Sequence, residues 1–304
     1  MDARRPLPAH VSIREVGPRD GLQPEEPVPV AARIDLVHAL VDAGVTVIEA
    51  AAFVSPKAVP AMAGAAEVMA GIERRPGVTY AALVPNVRGA ELAVEADADL
   101  LTFTVSASPT YNRRNVRMEV EESLTLVGPI VEAAGARPVD VVVSCAFGSP
   151  YEGEISPAYV ADVVGRVAEA GAAFTLADTT GMATPRRIHD VLDALGGSLA
   201  PAVGLHLHDT RGTALLNAHT ALERGVARFD TAVGGLGGSP FAHGAGGNLA
   251  TEELVALLDD LGVETGIDVE GLVGTAALVE DLVGRPVPSG VAHAGPRTRR
   301  SPAS

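Results

Sequence analysis

The chain has 304 residues, 47% hydrophobic and only 3% aromatic, with 33 glycines, 22 prolines and no tryptophan. Its core must therefore be built from Val, Leu, Ile and Ala, the mixture of buried parallel strands. A formal net charge of −15 argues against nucleic acid, whose phosphates such a protein would repel, although a local basic pocket could still take a phosphate-bearing small molecule. The single cysteine, Cys145, rules out an internal disulfide and fits a reducing compartment, so the cytoplasm is expected. No stretch reads as a membrane span, and the opening Asp2-Ala3-Arg4-Arg5 leads into prolines rather than a signal-peptide core.

Eight short aliphatic runs follow one another, each succeeded by helical periodicity. They are Val11–Val16, Val45–Ala51, Val78–Val84, Leu100–Val105, Val139–Ala146, Ala173–Ala177, Ala202–Leu207 and Arg228–Val233. Between them lie amphipathic segments at Ala31–Ala43, Glu121–Ala134, Pro157–Ala170 and Pro185–Leu195, several ended by an Ala-Gly stop such as Ala43-Gly44 or Ala170-Gly171. Eight strand–helix units in order predict an α/β fold of the (β/α)₈ TIM-barrel type. The competing open doubly wound sheet would carry a Gly-rich phosphate loop after its first strand, and Gly17-Pro18-Arg19-Asp20-Gly21 is not one. Extra C-terminal helices are expected at Thr251–Leu261 and Val269–Val283. One catalytic domain should span residues 8–286, and the Pro-, Arg- and Ser-rich segment 287–304 should lack fixed structure.

Barrel enzymes carry their reacting groups at the carboxyl ends of the strands. Asp20 follows the first predicted strand and Glu49 closes the second. His206 and His208 close the seventh; two residues apart in a strand, they share a face. After the eighth comes a glycine-rich loop, Gly234-Gly235-Leu236-Gly237-Gly238-Ser239-Pro240 through Gly244-Ala245-Gly246-Gly247-Asn248. Two imidazoles and a carboxylate make a mixed N/O donor set, suited to Mg²⁺ or Mn²⁺ with open water positions rather than to a closed zinc site. The alternative is a pair of barrel histidines satisfied by backbone carbonyls. Lys57 is the only lysine, so Schiff-base chemistry would have to use it.

Several of these segments together resemble the hydroxymethylglutaryl-CoA lyases, within the wider group of metal-dependent barrel lyases and Claisen-condensing synthases. They are Val16-Gly17-Pro18-Arg19-Asp20-Gly21-Leu22-Gln23, Val47-Ile48-Glu49, Phe53-Val54-Ser55-Pro56-Lys57, Ser144-Cys145-Ala146-Phe147-Gly148 and Asn248-Leu249-Ala250-Thr251-Glu252. The likeness runs in order over roughly residues 11 to 265. It implies cleavage of a 3-hydroxy-3-methylglutaryl-CoA-type thioester to acetyl-CoA and a 3-keto acid. It also implies a divalent cation held by Asp20, His206, His208 and Asn248, with Arg19 answering negative charge on the substrate and Glu49 organising the site. Coenzyme A phosphates would meet Arg113, Arg114 and Asn115, with Lys57 as a further contact, and a homodimer is expected by analogy. Asp178 is expected near the metal ligands without touching the ion, and Asp209 as the cap of the next helix.

One position departs from the family. Where the lyases carry a cysteine acting as general acid/base in the Gly-Leu-Gly-Gly loop, this chain has Ser239. A thiol near pKa 8.5 exchanges a proton around neutral pH, which a serine hydroxyl does only beside a strong base. Ser239 or a water would then pass the proton, or His243 would serve as the base. The rival readings are a condensing enzyme of the same group and a metal- or CoA-binding relative with little turnover.

Overall fold

The computed structural model describes residues 6–196, 202–238 and 246–299. Ser239 and His243 lie outside them. Eight parallel strands close into a barrel in sequence order: β1 Ser12–Glu15, β2 Val47–Ala52, β3 Thr79–Leu83, β4 Leu100–Ser106, β5 Val139–Ser144, β6 Ala173–Asp178, β7 Gly204–Leu207 and β8 Arg228–Thr231. β1 pairs with β8 over Ser12–Glu15, which completes the ring. Each aliphatic run yielded a strand.

The helices wrap the outside: α1 Val30–Asp42, α2 Ala65–Gly71, α3 Val87–Glu95, α4 Pro109–Val116, α5 Val120–Thr125, α6 Val127–Ala134, α7 Pro157–Glu169, α8 Pro185–Leu195 and α9 Ala214–Glu223. Helices α10 Thr251–Leu261, α11 Val269–Val283 and α12 Gly290–Ala294 follow the barrel. Sequence chemistry explains several starts. Pro109, Pro157 and Pro185 each open a helix where an N–H has no intrahelical partner. Asn86, Ser108 and Thr184 accept hydrogen bonds from Gly89, Tyr111 and Arg187 as N-caps. The single helix expected over Glu121–Ala134 is two, divided at Leu126, because Pro129 brings no N–H to the bonding ladder. The segment after 287, expected to lack structure, contains α12, and beyond it Arg297 pairs with Asp260 and Arg299 with Glu270.

Between strands and helices lies an aliphatic layer that includes Leu36, Val37 and Leu40 of α1, all fully buried. The barrel interior differs. Arg14 on β1, Asp140 on β5, Thr175 on β6 and Asp230 on β8 all lie buried there, a charged layer where branched aliphatics usually stack.

Two further buried carboxyls tie the rim loops to the barrel. Glu15 accepts hydrogen bonds from the Gly17 and Val233 amides at 2.7 and 3.0 Å and from the Thr251 hydroxyl. Glu252 accepts from the Gly234 amide at 3.0 and 3.1 Å. Burial pushes both up to about 7. Because these folded-state values lie above the ordinary one, the protonated forms favour the fold. Their contribution is complete below about pH 4.5 and is lost as pH rises through about 7, at most on the order of 3 kcal/mol for each group. Glu15→Gln should therefore lose less stability than the native chain between pH 5 and 8, read from urea midpoints. Equal pH slopes for the two proteins would contradict this.

Candidate active site

The first rim loop folds as a single wide turn. The amides of Arg19, Asp20 and Gly21 all bond the Val16 carbonyl at 3.1, 2.7 and 3.1 Å, so Gly17–Gly21 forms one π-helical turn. Pro18 supplies the fixed φ at its start. This turn carries Arg19 and Asp20 inward over the barrel mouth. Arg19 gives its Nε to Glu49 and its Nη1 to Asp20 at 2.6 Å. Glu49 also accepts from the Thr102 hydroxyl of β4. For the Arg19 Nη2 no partner is found among the described residues, and Arg19 lines the cavity at the mouth.

Across the barrel, β7 carries His206, and His208 follows directly after its end. Their Nε2 atoms face each other at 3.1 Å. The Asp20 Oδ2 lies 3.9 Å from the Nε2 of His206, and all three donor groups fall within 4.8 Å of one another. Both imidazoles are fixed from behind. His206 Nδ1 is 3.3 Å from Asp230 Oδ2, and His208 Nδ1 is 3.1 Å from the Gly246 carbonyl. A carboxylate and a carbonyl only accept, so each Nδ1 carries the proton and each Nε2 presents a lone pair. Two lone pairs pointed at each other repel unless a positive charge lies between them. Burial, then the neighbouring His206, lower the His208 value to about 4, which leaves its ring neutral near pH 7. Burial works against ionisation of Asp20, yet the Arg19 guanidinium beside it holds its carboxyl below the usual range.

These donors fit a divalent cation. Two ligands about 2.2 Å from one ion and at a right angle lie about 3.1 Å apart, the spacing of the two Nε2 atoms. Asn248 reaches the same place from the last rim loop. That loop returns as an antiparallel bridge to His208, with the Leu249 amide on the Leu207 carbonyl and the Asp209 amide on that of Gly247. The bridge needs glycine at 247, where a Cβ would overlap the Gly235 carbonyl oxygen. At Gly237, with φ +106, a Cβ would strike the Asn248 amide. Asn248 Nδ2 donates to Asp20 Oδ2 at 2.8 Å and to the Leu236 carbonyl at 2.9 Å, while its buried Oδ1 has no partner among the described residues. A half-turn of the amide would exchange the two atoms and put that oxygen beside Asp20 Oδ2, where a cation could meet it.

The remaining residues singled out from sequence divide. Asn115 lines both the metal-side cavity and an adjoining apolar one of about 450 Å³, walled by Val54, Val59, Phe103 and Val116. Lys57, Arg113 and Arg114 are exposed and are not among the lining residues described. Arg113 instead pairs with Glu119 at 3.0 Å, and Arg114 lies over the Tyr151 ring, 4.6 Å from its centre. Asp178 accepts from the Met182 and Ala183 amides at 2.7 and 2.9 Å, its carboxyl raised by burial to about 7. Asp209 accepts from the Ala214 amide at the start of α9, whose N-cap position is Thr213 rather than Asp209. Cys145 does not stand in for the family's loop cysteine. It is fully buried beyond β5 in the left-handed region at φ +57, and burial pushes its thiol up to about 12.

Sequence reasoning passed over three contributors: Thr102 behind Glu49, the Gly246 carbonyl behind His208, and Asp230 behind His206. Only Asp230 left a signal, as an acid inside a strand otherwise read as buried.

The fold and the rim together define a class: a (β/α)₈ barrel with an Asp/His/His cluster that could hold a cation and a buried arginine at its carboxyl mouth. The HMGL-like family model matches residues 10–279, and the chain belongs to that family. It is 43% identical over 293 residues to the mitochondrial hydroxymethylglutaryl-CoA lyase of Homo sapiens, covering 95% of this chain and 90% of that protein. It is 42% identical over 284 residues to a 3-hydroxy-3-isohexenylglutaryl-CoA/hydroxy-methylglutaryl-CoA lyase of Pseudomonas aeruginosa, covering 92% of this chain and 95% of that one. A solved HMG-CoA lyase from Acinetobacter baumannii, in complex with coenzyme A and 3-methylmalate, superposes with a TM-score of 0.91 at 41% identity, covering 97% of this chain and 98% of that one.

Proposed function

We propose that this chain is a cation-dependent carbon–carbon lyase cleaving 3-hydroxy-3-methylglutaryl-CoA, or a close 3-hydroxy-acyl-CoA relative, to acetyl-CoA and a 3-keto acid. The observation that carries the reading is the Asp20, His206 and His208 donor set beside an arginine whose Nη2 has no partner among the described residues, in a chain of this family. Mg²⁺ or Mn²⁺ is the cation that the mixed donors favour, held by those three residues with Asn248. Bound there, a divalent cation would lower the pKa of the substrate hydroxyl and polarise the oxygen that becomes a ketone.

The protein's own groups supply the rest. The bond between C2 and C3 breaks as the C3 hydroxyl loses its proton, C3 becomes the ketone carbon and the electron pair passes into the thioester enolate. Arg19 stays charged at any working pH, and its Nη2 is the donor left to meet the enolate oxygen. One such contact is worth on the order of 3 kcal/mol of barrier. Glu49 and Asp20 hold the guanidinium in place from two sides, so little reorganisation accompanies the charge shift. The enolate carbon then takes a proton, which in this chain passes through Ser239 or water and balances the one lost from the C3 hydroxyl. The apolar cavity beside Asn115 provides room for the extended thioester. The single buried cysteine suits the cytoplasm.

The test is to supply 3-hydroxy-3-methylglutaryl-CoA with Mg²⁺ or Mn²⁺ and measure acetyl-CoA. Cation-dependent release above background is expected. Silence across a panel of 3-hydroxy-acyl-CoA thioesters would overturn the reading. The condensing alternative is tested in the same way, with acetyl-CoA and a 2-oxo acid as substrates and no product expected. Should His243 be the base, His243→Gln would lower the rate; an unchanged rate removes it.

A further inference from the structure

We infer that Arg14 and Asp230, deep inside the barrel, are positioning residues that set the tautomer and aim of His206. The inference rests on the proposed cation site and extends it to the layer below.

The three residues are register partners on adjacent strands, Arg14 with Asp230 across β1 and β8 and Asp230 with His206 across β8 and β7. Arg14 grips Asp230 with two bonds, Nε to Oδ1 at 2.9 Å and Nη2 to Oδ2 at 2.6 Å. That fork fixes the carboxylate plane. With the plane fixed, the Oδ2 that meets His206 Nδ1 at 3.3 Å has one direction available. Arg14 is itself anchored on the far side, where Nη1 donates to Asp140 Oδ2 at 2.6 Å and the Thr175 hydroxyl supports the same oxygen at 2.7 Å. The layer therefore runs as one bonded path from β5 through β1 and β8 to the imidazole on β7. All its members are at least nine-tenths buried.

Stability gives no reason for this arrangement. Burying an ion pair costs desolvation that well-packed aliphatic side chains would avoid, and replacing such pairs is often neutral or stabilising. A negatively charged acceptor behind a metal-binding imidazole has a definite effect, however. It fixes the proton on Nδ1 and raises the basicity of Nε2. His208, by contrast, has only a neutral carbonyl behind it. The two imidazoles are thereby made unequal, with His206 the stronger donor.

Metal affinity of the full chain tests this without recourse to turnover. Asp230→Asn and Arg14→Met should each weaken Mn²⁺ binding, read by calorimetry or electron paramagnetic resonance, by about 10- to 100-fold. Asp140→Asn leaves the Arg14–Asp230 fork in place and should change the Mn²⁺ Kd less than about threefold, whatever it does to thermal stability. Because the first two variants could fail to fold, the native protein supplies a second test. Long-range ¹H–¹⁵N spectra of its histidines without metal should show His206 protonated on Nδ1 with Nε2 bare. Native Mn²⁺ affinity in folded Asp230→Asn and Arg14→Met, or an Nε2-protonated His206, would overturn the inference while leaving the cation site standing. A native chain that binds no divalent cation would remove the site and this inference together.

Discussion

Asp20→Ala is expected to lower kcat/KM for 3-hydroxy-3-methylglutaryl-CoA by roughly 10³-fold or more and to abolish measurable Mn²⁺ binding. Asp20 has two tasks that fail together. Its Oδ2 is the one carboxylate of the donor set, and its Oδ1 anchors Arg19 Nη1 at 2.6 Å. Without it, no carboxylate would remain beside the two imidazoles and Asn248 to hold a cation, and the guanidinium would keep only Glu49 as a counter-charge. Asp20→Asn keeps the shape and loses the charge, so it should bind metal weakly and recover part of the rate at high Mn²⁺. Kinetics and calorimetry on the same samples check both statements. More than a tenth of native activity in Asp20→Ala would contradict them.

The second large effect concerns Ser239. Ser239→Cys is expected to raise kcat on 3-hydroxy-3-methylglutaryl-CoA by roughly 10²-fold, the lower end of what a positioned acid/base group contributes, while the Mn²⁺ Kd stays unchanged. The preceding residue, Gly238, lines the same cavity as Arg19, Asp20 and both histidines. A thiol introduced next along the chain can exchange a proton near neutral pH where a hydroxyl does not. The buried Cys145, with its thiol raised to about 12, supplies no substitute. An unchanged or lower rate in Ser239→Cys would show that proton delivery does not limit this enzyme, and would direct attention to a different acyl group.

Much of this architecture was legible because buried parallel strands read as unbroken aliphatic runs, and the eight runs produced eight strands in order. The two histidines were legible because period two places them on one face. Asp20 could be joined to them because barrel strands end on one common rim, whereas Asn248 entered as a ligand only through the family resemblance, since no spacing rule links it to residues 206 and 208. The break in the helix at Leu126 was less visible, as apolar periodicity continues across a proline that interrupts only the hydrogen bonds. Least visible was the charged layer of Arg14, Asp140 and Asp230. Each charge sits inside a run dominated by aliphatic residues, and its partners lie 126 and 216 positions away. Closure of the barrel brings them together, and nothing local in the sequence announces it. The basic run at Arg113 and Arg114 is conspicuous in an acidic chain; both side chains are exposed, Arg113 paired with Glu119 and Arg114 over the Tyr151 ring.

The central claim is that one divalent cation sits among Asp20, His206 and His208, and an anomalous-scattering map from Mn²⁺-soaked crystals addresses it most directly. A single strong peak about 2.2 Å from the Asp20 carboxylate and both Nε2 atoms is predicted. Density without such a peak at saturating Mn²⁺, with the two imidazoles still face to face, would contradict it.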